Sequence, residues 1–187
     1  MIYIGLDPGL TGAIAAILPD NTIEFHDMPT LEVKKKTQLD YAGLAHILRR
    51  YADRGASTAA IELVGAMPGQ GVSSMFKFGQ VYGAALATLA TLQIPYQCVT
   101  PPTWKRSFRL VGCEKDESRS RALELFPECV EHLRLKKHHG RADALLLAQW
   151  KKFNVVESNQ GIQPSRLTAA QKRRADRDKL VPLELKS

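Results

Sequence analysis

The stretch "IGLDPGLTGAIAAIL", Ile4 to Leu18, decides the fold. Ile4, Leu6, Ile14, Ile17 and Leu18 belong in a core, yet Asp7 stands among them, followed at once by Pro8 and Gly9. Proline biases the residue before it to an extended backbone, and Gly9 lets the chain turn tightly. The stretch therefore reads as two strands joined by a turn, with a carboxylate where the first strand leaves its sheet. An isolated ion is costly to bury, so Asp7 needs a partner.

The neighbouring sequence continues this pattern. Residues 2–7, 12–18 and 21–27 are three short β-rich runs with turn signals at "DPGLTG" and "PDN" between them. Asp40 caps a helical pattern, "DYAGLAHILRRYADR", which carries Leu44, Ile47 and Leu48 on one face and has Gly55 past its end. "STAAIELV" is a fourth strand whose nearly unbroken apolar run suits burial on both faces. The loop "GAMPGQG" precedes a long helix over about residues 72–92. "PYQCV" is a fifth strand leading into "TPPTW", where Thr100 is placed to cap and Pro101 fits a first helical position. Two more helices are predicted near 116–126 and 140–153. The order β-β-β-α-β-α-β-α describes a five-stranded mixed sheet flanked by helices, an α/β fold in the ribonuclease H-like order.

The 187 residues form one main domain, 1–153, with a basic tail over 154–187. In the tail, Thr168 and Gln171 have the spacing of a capping box ahead of a short basic helix. An apolar content of 44% with 24% charged residues is globular. No run reaches the roughly 18 apolar residues of a membrane span, and no signal peptide is read at the start. Cys98, Cys113 and Cys129 contain no C-x-x-C pair, which favours a reducing compartment over a disulfide framework or a zinc knuckle. The net charge of +7 is uneven. Lys/Arg and Asp/Glu cancel at 14 each through Leu135, while the remainder holds 12 against 5. A neutral body with a basic C-terminal quarter suits a polyanion, most commonly nucleic acid, or a solvated tail.

Three acids stand out. Asp7 ends the first strand, Glu62 lies in "AAIELVGAMPG" before a Gly/Pro-rich loop, and Asp143 lies near the start of the apolar helix in "HHGRADALLLAQW". Singly, each has an ordinary explanation: a turn aspartate, a glutamate paired with an arginine, or a first-turn helix acid complementing the dipole. If the first and fourth strands are parallel neighbours, Asp7 and Glu62 leave the sheet at the same end. Asp143 would then reach the same edge from its helix. Such an oxygen-rich set suits magnesium or manganese, and two such ions can drive phosphodiester hydrolysis.

Together, "IGLDPGLTGAIA", "AAIELVGAMPG…MFKFGQVYGAALA", "VTPPTWKRSF" and "HGRADALLLA" resemble the RuvC-type Holliday junction resolvases, particularly their compact phage and bacterial forms. The resemblance runs in order from about residue 1 to 153. Its most specific pieces are D-P-G, K-x-G-Q-x-x-G from Lys77 to Gly83, and A-D-A-L. It implies a homodimeric, divalent-metal-dependent endonuclease that places paired nicks in four-way DNA junctions, in the cytoplasm of a bacterial or phage-infected cell. Asp7, Glu62 and Asp143 fall on three of the family's four acidic positions. Where the family has Asp or His three residues before the last acid, this chain has Gly140. His139 shares a helix face with Asp143 at i,i+4 if the helix is continuous; if the helix begins only at Gly140, His138 reaches in instead. Imidazole would favour manganese over magnesium.

Lys105 matches a family position close to the metals, where a cation could neutralise charge on the scissile phosphate. Arg106, Arg109 and Arg141 are candidate phosphate contacts, as are Ser73, Ser74 and Lys77 at the start of the long helix; a solvated basic face is the ordinary alternative. Met67 is a candidate apolar wedge against unstacked bases. Gly79, Gly83 and Ala87, at four-residue spacing, permit close approach either of a second copy or of the chain's own sheet. Rival readings are a broader fork or flap nuclease and a junction-binding protein with impaired catalysis. A sugar-kinase or actin-like protein needs two such lobes, and no Walker-type phosphate loop is present, so no nucleotide cofactor is expected.

Overall fold

The computed structural model describes residues 1–63, 65, 69 and 71–154. The expected wedge at Met67 and the expected tail with its short helix lie outside the described residues. Five strands form the main sheet: β1 (Ile2–Asp7), β2 (Ala13–Ile17), β3 (Ile23–Asp27), β6 (Ser57–Glu62) and β7 (Tyr96–Val99). Their order is β3-β2-β1-β6-β7. β2 is antiparallel to both of its neighbours, while β1, β6 and β7 run parallel. The expected five-stranded mixed sheet is therefore present, and Met1–Asn154 forms one compact unit.

Alternation along the strands assigns the two faces. Ile2, Ile4 and Leu6 of β1, with Ala59 and Ile61 of β6, pack against α1 (Tyr41–Asp53) and α2 (Val72–Thr91). Those helices contribute Leu44, Leu48 and Tyr51, and Val81, Ala85 and Leu89. The opposite face, with Ala13, Ala15, Ile17 and Ala60, packs against α6 (His139–Asn154) and against Trp104 of α3 (Pro101–Ser107). Because side chains alternate with period two, Gly5 and Asp7 of β1 belong to this second face, as does Glu62 of β6. At Gly5 a Cβ would overlap the carbonyl oxygen of Ala144 and lie 2.5 Å from the backbone nitrogen of Ala148. α6 therefore rests directly on the β1 backbone through Ala144 and Ala148, and Gly140, one turn earlier on the same side of the helix, meets Asp7 and the turn after it.

Local signals explain most boundaries. Asp40 accepts a hydrogen bond from the Gly43 N–H at 2.9 Å and starts α1, a cap worth about 1 kcal/mol. Thr100 takes the N-cap position of α3, but its hydroxyl pairs with that of Thr103 at 2.7 Å rather than with a backbone amide. The Asp7–Gly12 turn involves two glycines, with the Gly12 N–H donating to the Gly9 carbonyl at 3.0 Å. Gly9 is not in the left-handed region. Gly12 is the residue the turn requires, because a Cβ there would overlap the Asp7 carbonyl oxygen.

Two regions were not anticipated. Thr30–Val33 (β4) and Lys36–Leu39 (β5) form a separate antiparallel hairpin. Its turn is Lys34-Lys35, both at positive φ, where Asn-Gly would have announced it. After α4 (Lys115–Leu125), two 3₁₀ turns, Pro127–Cys129 and Lys136–His138, flank the single-turn α5 (Val130–Leu133). Elements this short carry no periodicity to read.

Candidate active site

Leu6 and Ile61 are register partners of the parallel β1–β6 pair, so the next residues, Asp7 and Glu62, emerge side by side from the strand ends. Neighbouring strands lie about 4.8 Å apart, close enough for both carboxylates to share one ligand. Asp7 has Pro8 behind it, and the Gly9 N–H donates to the Asp7 carbonyl at 3.1 Å, which folds the following turn away from the sheet end. The third acid arrives on α6, whose contact with Gly5 fixes its height along β1.

Glu62 is half-buried, and burial pushes its carboxyl above the usual range. The indole N–H of Trp104, donating to Glu62 Oε1 at 2.9 Å, opposes that rise. The negative charge of Asp143 adds to the rise and the positive charge of Lys105 lowers it. Glu62, Asp143 and Lys105 thus share one electrostatic neighbourhood. The Lys105 ammonium lies 5.5 Å from the Trp104 ring centre, where the π-face holds it. Trp104 is fully buried and needs an acceptor for its N–H, and Glu62 is that acceptor. It stood in the quoted motif without a role; its signal was an indole five residues past a strand aligned with the acid-bearing one.

At Gly140 a Cβ would lie 2.9 Å from the Thr11 carbonyl oxygen, 3.1 Å from Asp7 Oδ2 and 3.1 Å from the Gly12 Cα. The start of α6 is therefore seated against Asp7 and its turn, and only glycine fits there without a shift. α6 begins at His139, so His139 and Asp143 lie on one continuous helix at i,i+4. His138 ends the preceding 3₁₀ turn among the charges of Arg141, Lys137, Asp27 and Arg134, with burial the main cause of its lowered pKa. Among the described residues, no group of three or more His, Cys, Asp or Glu side chains is gathered tightly enough to enclose an ion as it stands.

Arg141 grips Asp27 with both arms of its guanidinium, at 2.6 and 2.7 Å, and donates to the His132 carbonyl at 3.3 Å. This fork binds the first turn of α6 to the end of β3 and holds the Asp27 carboxyl below its usual range. Ser73, Ser74 and Lys77 are exposed on the first turns of α2, and Arg106 and Arg109 are exposed at and beyond the end of α3. Gly79 and Gly83 have no atom within 4 Å of a Cβ built on them. The α2 stripe therefore faces away from its own sheet, which is gripped instead by Val81, Ala85 and Leu89.

The mixed sheet, with a helix laid across β1, has a fold similar to that of solved RuvC structures. The structure of Thermus thermophilus RuvC in complex with Holliday junction substrate matches with a TM-score of 0.58 and 18% identity, over 84% of this chain and 96% of that one. A second Thermus thermophilus RuvC structure matches over the same shares with a TM-score of 0.52. The chain is also 35% identical over 91 residues to "Holliday junction resolvase MOC1, chloroplastic" of Chlamydomonas reinhardtii. That match takes in 48% of this chain, which spans about a tenth of the length of that relative. No family model matches. The resemblance drawn from the motifs is borne out, and the fold is that of RuvC.

Proposed function

We propose that this chain is a structure-selective endonuclease that resolves four-way DNA junctions by metal-dependent phosphodiester hydrolysis, acting as a homodimer. The observation that carries the reading is the in-register exit of Asp7 and Glu62 from adjacent parallel strands, with Asp143 near enough to raise the Glu62 pKa. Carboxylates that resist ionisation beside one another gain from a shared cation. The donor set fits a hard divalent ion: oxygen ligands on three rigid elements with room for water. Asp7, Glu62 and Asp143 would hold magnesium or manganese, with two ions per site as the favoured stoichiometry. His139, on the same helix face as Asp143, is the proposed fourth ligand. Bound there, the metal would polarise the phosphoryl oxygens and lower the pKa of an attacking water.

The chain's own residues account for the rest. Trp104 fixes the Glu62 carboxylate through Oε1, and the second oxygen would serve the metal. Lys105, beside that pair, supplies positive charge where the pentacovalent phosphate gains negative charge. Gly140 allows α6 to seat against Asp7, so that the acids are set by packing rather than by a loop. Lys77, Arg106 and Arg109 would meet backbone phosphates, which position a branched substrate without reading sequence.

Two strands must be cut, so two sites at a fixed separation are needed. The open Gly79–Gly83 stripe of α2, beside the exposed Val72 and Phe76, is the proposed homodimer face. The test is nicking of a labelled mobile four-way junction by wild type and Asp7→Asn, with magnesium and with manganese. Paired symmetric nicks that vanish in Asp7→Asn with binding retained support the reading. Binding with no nicking in either metal would make the chain a junction-binding module. Equal rates on forks and flaps would broaden the substrate class.

A further inference from the structure

The β4–β5 hairpin packs into neither core cluster along most of its length. Thr30 through Gln38 are exposed without interruption, and only Leu39 at its root is buried. A lone two-stranded ribbon is marginal in water, so a projecting one needs something to meet. Its turn is occupied by Lys34 at φ 48° and Lys35 at φ 60°, and a third lysine, Lys36, follows. Both turn positions lie in the left-handed region that glycine and asparagine occupy at far lower cost. Three successive cations also repel one another. Glu32, the one acid of the ribbon, accepts a hydrogen bond from the Thr37 hydroxyl at 3.1 Å. Among the described residues, none of Lys34, Lys35 and Lys36 is in an ion pair. An outlier kept at such a tip points to use rather than stability.

The position of the ribbon indicates that use. Lys36 and Thr37 of β5 line a cleft of about 230 Å³ together with Ser73 and Lys77 of α2 and Leu10 of the turn that carries Asp7. The lysine tip and Lys77 thus lie on the same side of the proposed site. We propose that the Lys34-Lys35-Lys36 tip is a DNA-binding arm that grips the backbone phosphates of one duplex arm of the junction. It would continue the phosphate track begun by Ser73 and Lys77. This inference rests on the reading of the chain as a junction nuclease.

The test is the double variant Lys34→Asn/Lys35→Gly, which removes two charges while installing the residues the turn prefers, so that the fold is kept or strengthened. Affinity for a labelled four-way junction is measured in EDTA from about 50 to 200 mM salt, with thermal melting alongside. Each lost phosphate contact removes about 0.9 from the slope of log affinity against log salt. The expected result is a slope lower by about 2, affinity more than tenfold weaker at the lower salt, and a melting temperature unchanged or raised. A wild type that binds and nicks junctions, beside a variant with unchanged slope and affinity, overturns the arm alone. A wild type with no salt-dependent affinity for the junction overturns both the arm and the nuclease reading.

Discussion

Gly140→Ala tests the seating of α6 directly. The added methyl would stand 2.9 Å from the Thr11 carbonyl oxygen and 3.1 Å from both Asp7 Oδ2 and the Gly12 Cα. Two of those three atoms are backbone, and Gly12 is held in a turn too tight to yield, so the helix must move. Overpacking of this kind costs about 1–3 kcal/mol. The better helix propensity of alanine returns about 1 kcal/mol, leaving a net loss of up to about 2 kcal/mol. For a chain of this size that is a fall in Tm of up to about 8 °C. The effect on catalysis should be much larger. Asp143 lies one turn further along the displaced helix, and a misplacement of about 1 Å can cost about 100-fold in rate. Differential scanning fluorimetry and single-turnover nicking of a junction measure the two effects together. Nicking by Gly140→Ala at the wild-type rate, whatever its Tm, would refute the seating of the acids by this contact.

Trp104→Phe keeps an aromatic ring but removes the donor to Glu62, a charge-assisted bond worth about 1.5–3 kcal/mol. Glu62 then rises further above its normal range. Its favourable share of stability is complete below the unfolded value of 4.5 and is lost as pH rises through the raised folded value, so in the variant that loss comes at higher pH. The acid limb of the nicking profile should move to higher pH; an unmoved limb would remove Trp104 from the site. His139→Ala should lower nicking sharply while sparing junction affinity, and unchanged rates in both magnesium and manganese would exclude His139 as a ligand. His26, whose Nε2 lies 3.0 Å from the Tyr51 hydroxyl, has a pKa lowered first by burial and then by Arg50. Its stability share is present above pH 6.5 and is lost as pH falls through the lowered value. Denaturant midpoints should therefore drop on acidification more steeply in wild type than in His26→Gln.

The sheet is legible because its strands are short β-rich, apolar runs and its turns are marked. The run Ile4–Leu18 contains β2 whole and most of β1, and in "STAAIELV" the residues from Thr58 to Ile61 are buried on both faces, as their apolar composition requires. The three acids were legible as charges that do not belong among their neighbours. The hairpin was not, because lysines occupy a turn that usually declares itself through Asn-Gly. Trp104 was missed for a different reason. An indole near a strand end is ordinary core, and only the distance to Glu62 reveals its second task. Likewise Gly140 reads as a missing ligand in sequence, whereas in space it is a contact surface for Asp7.

The pairing of Leu6 with Ile61 has a consequence for how the molecule reaches its working state. In a sheet, a slip of one residue turns every side chain of the strand to the other face. Such a slip of β6 would drive the Glu62 carboxylate towards the leucines of α1 and α2 and turn Ile61 to the face that carries Asp143. An error in assembly and a loss of reactivity would then be the same event. A chain able to close its acids on one phosphate has, by that fact, already proofread its own strand alignment.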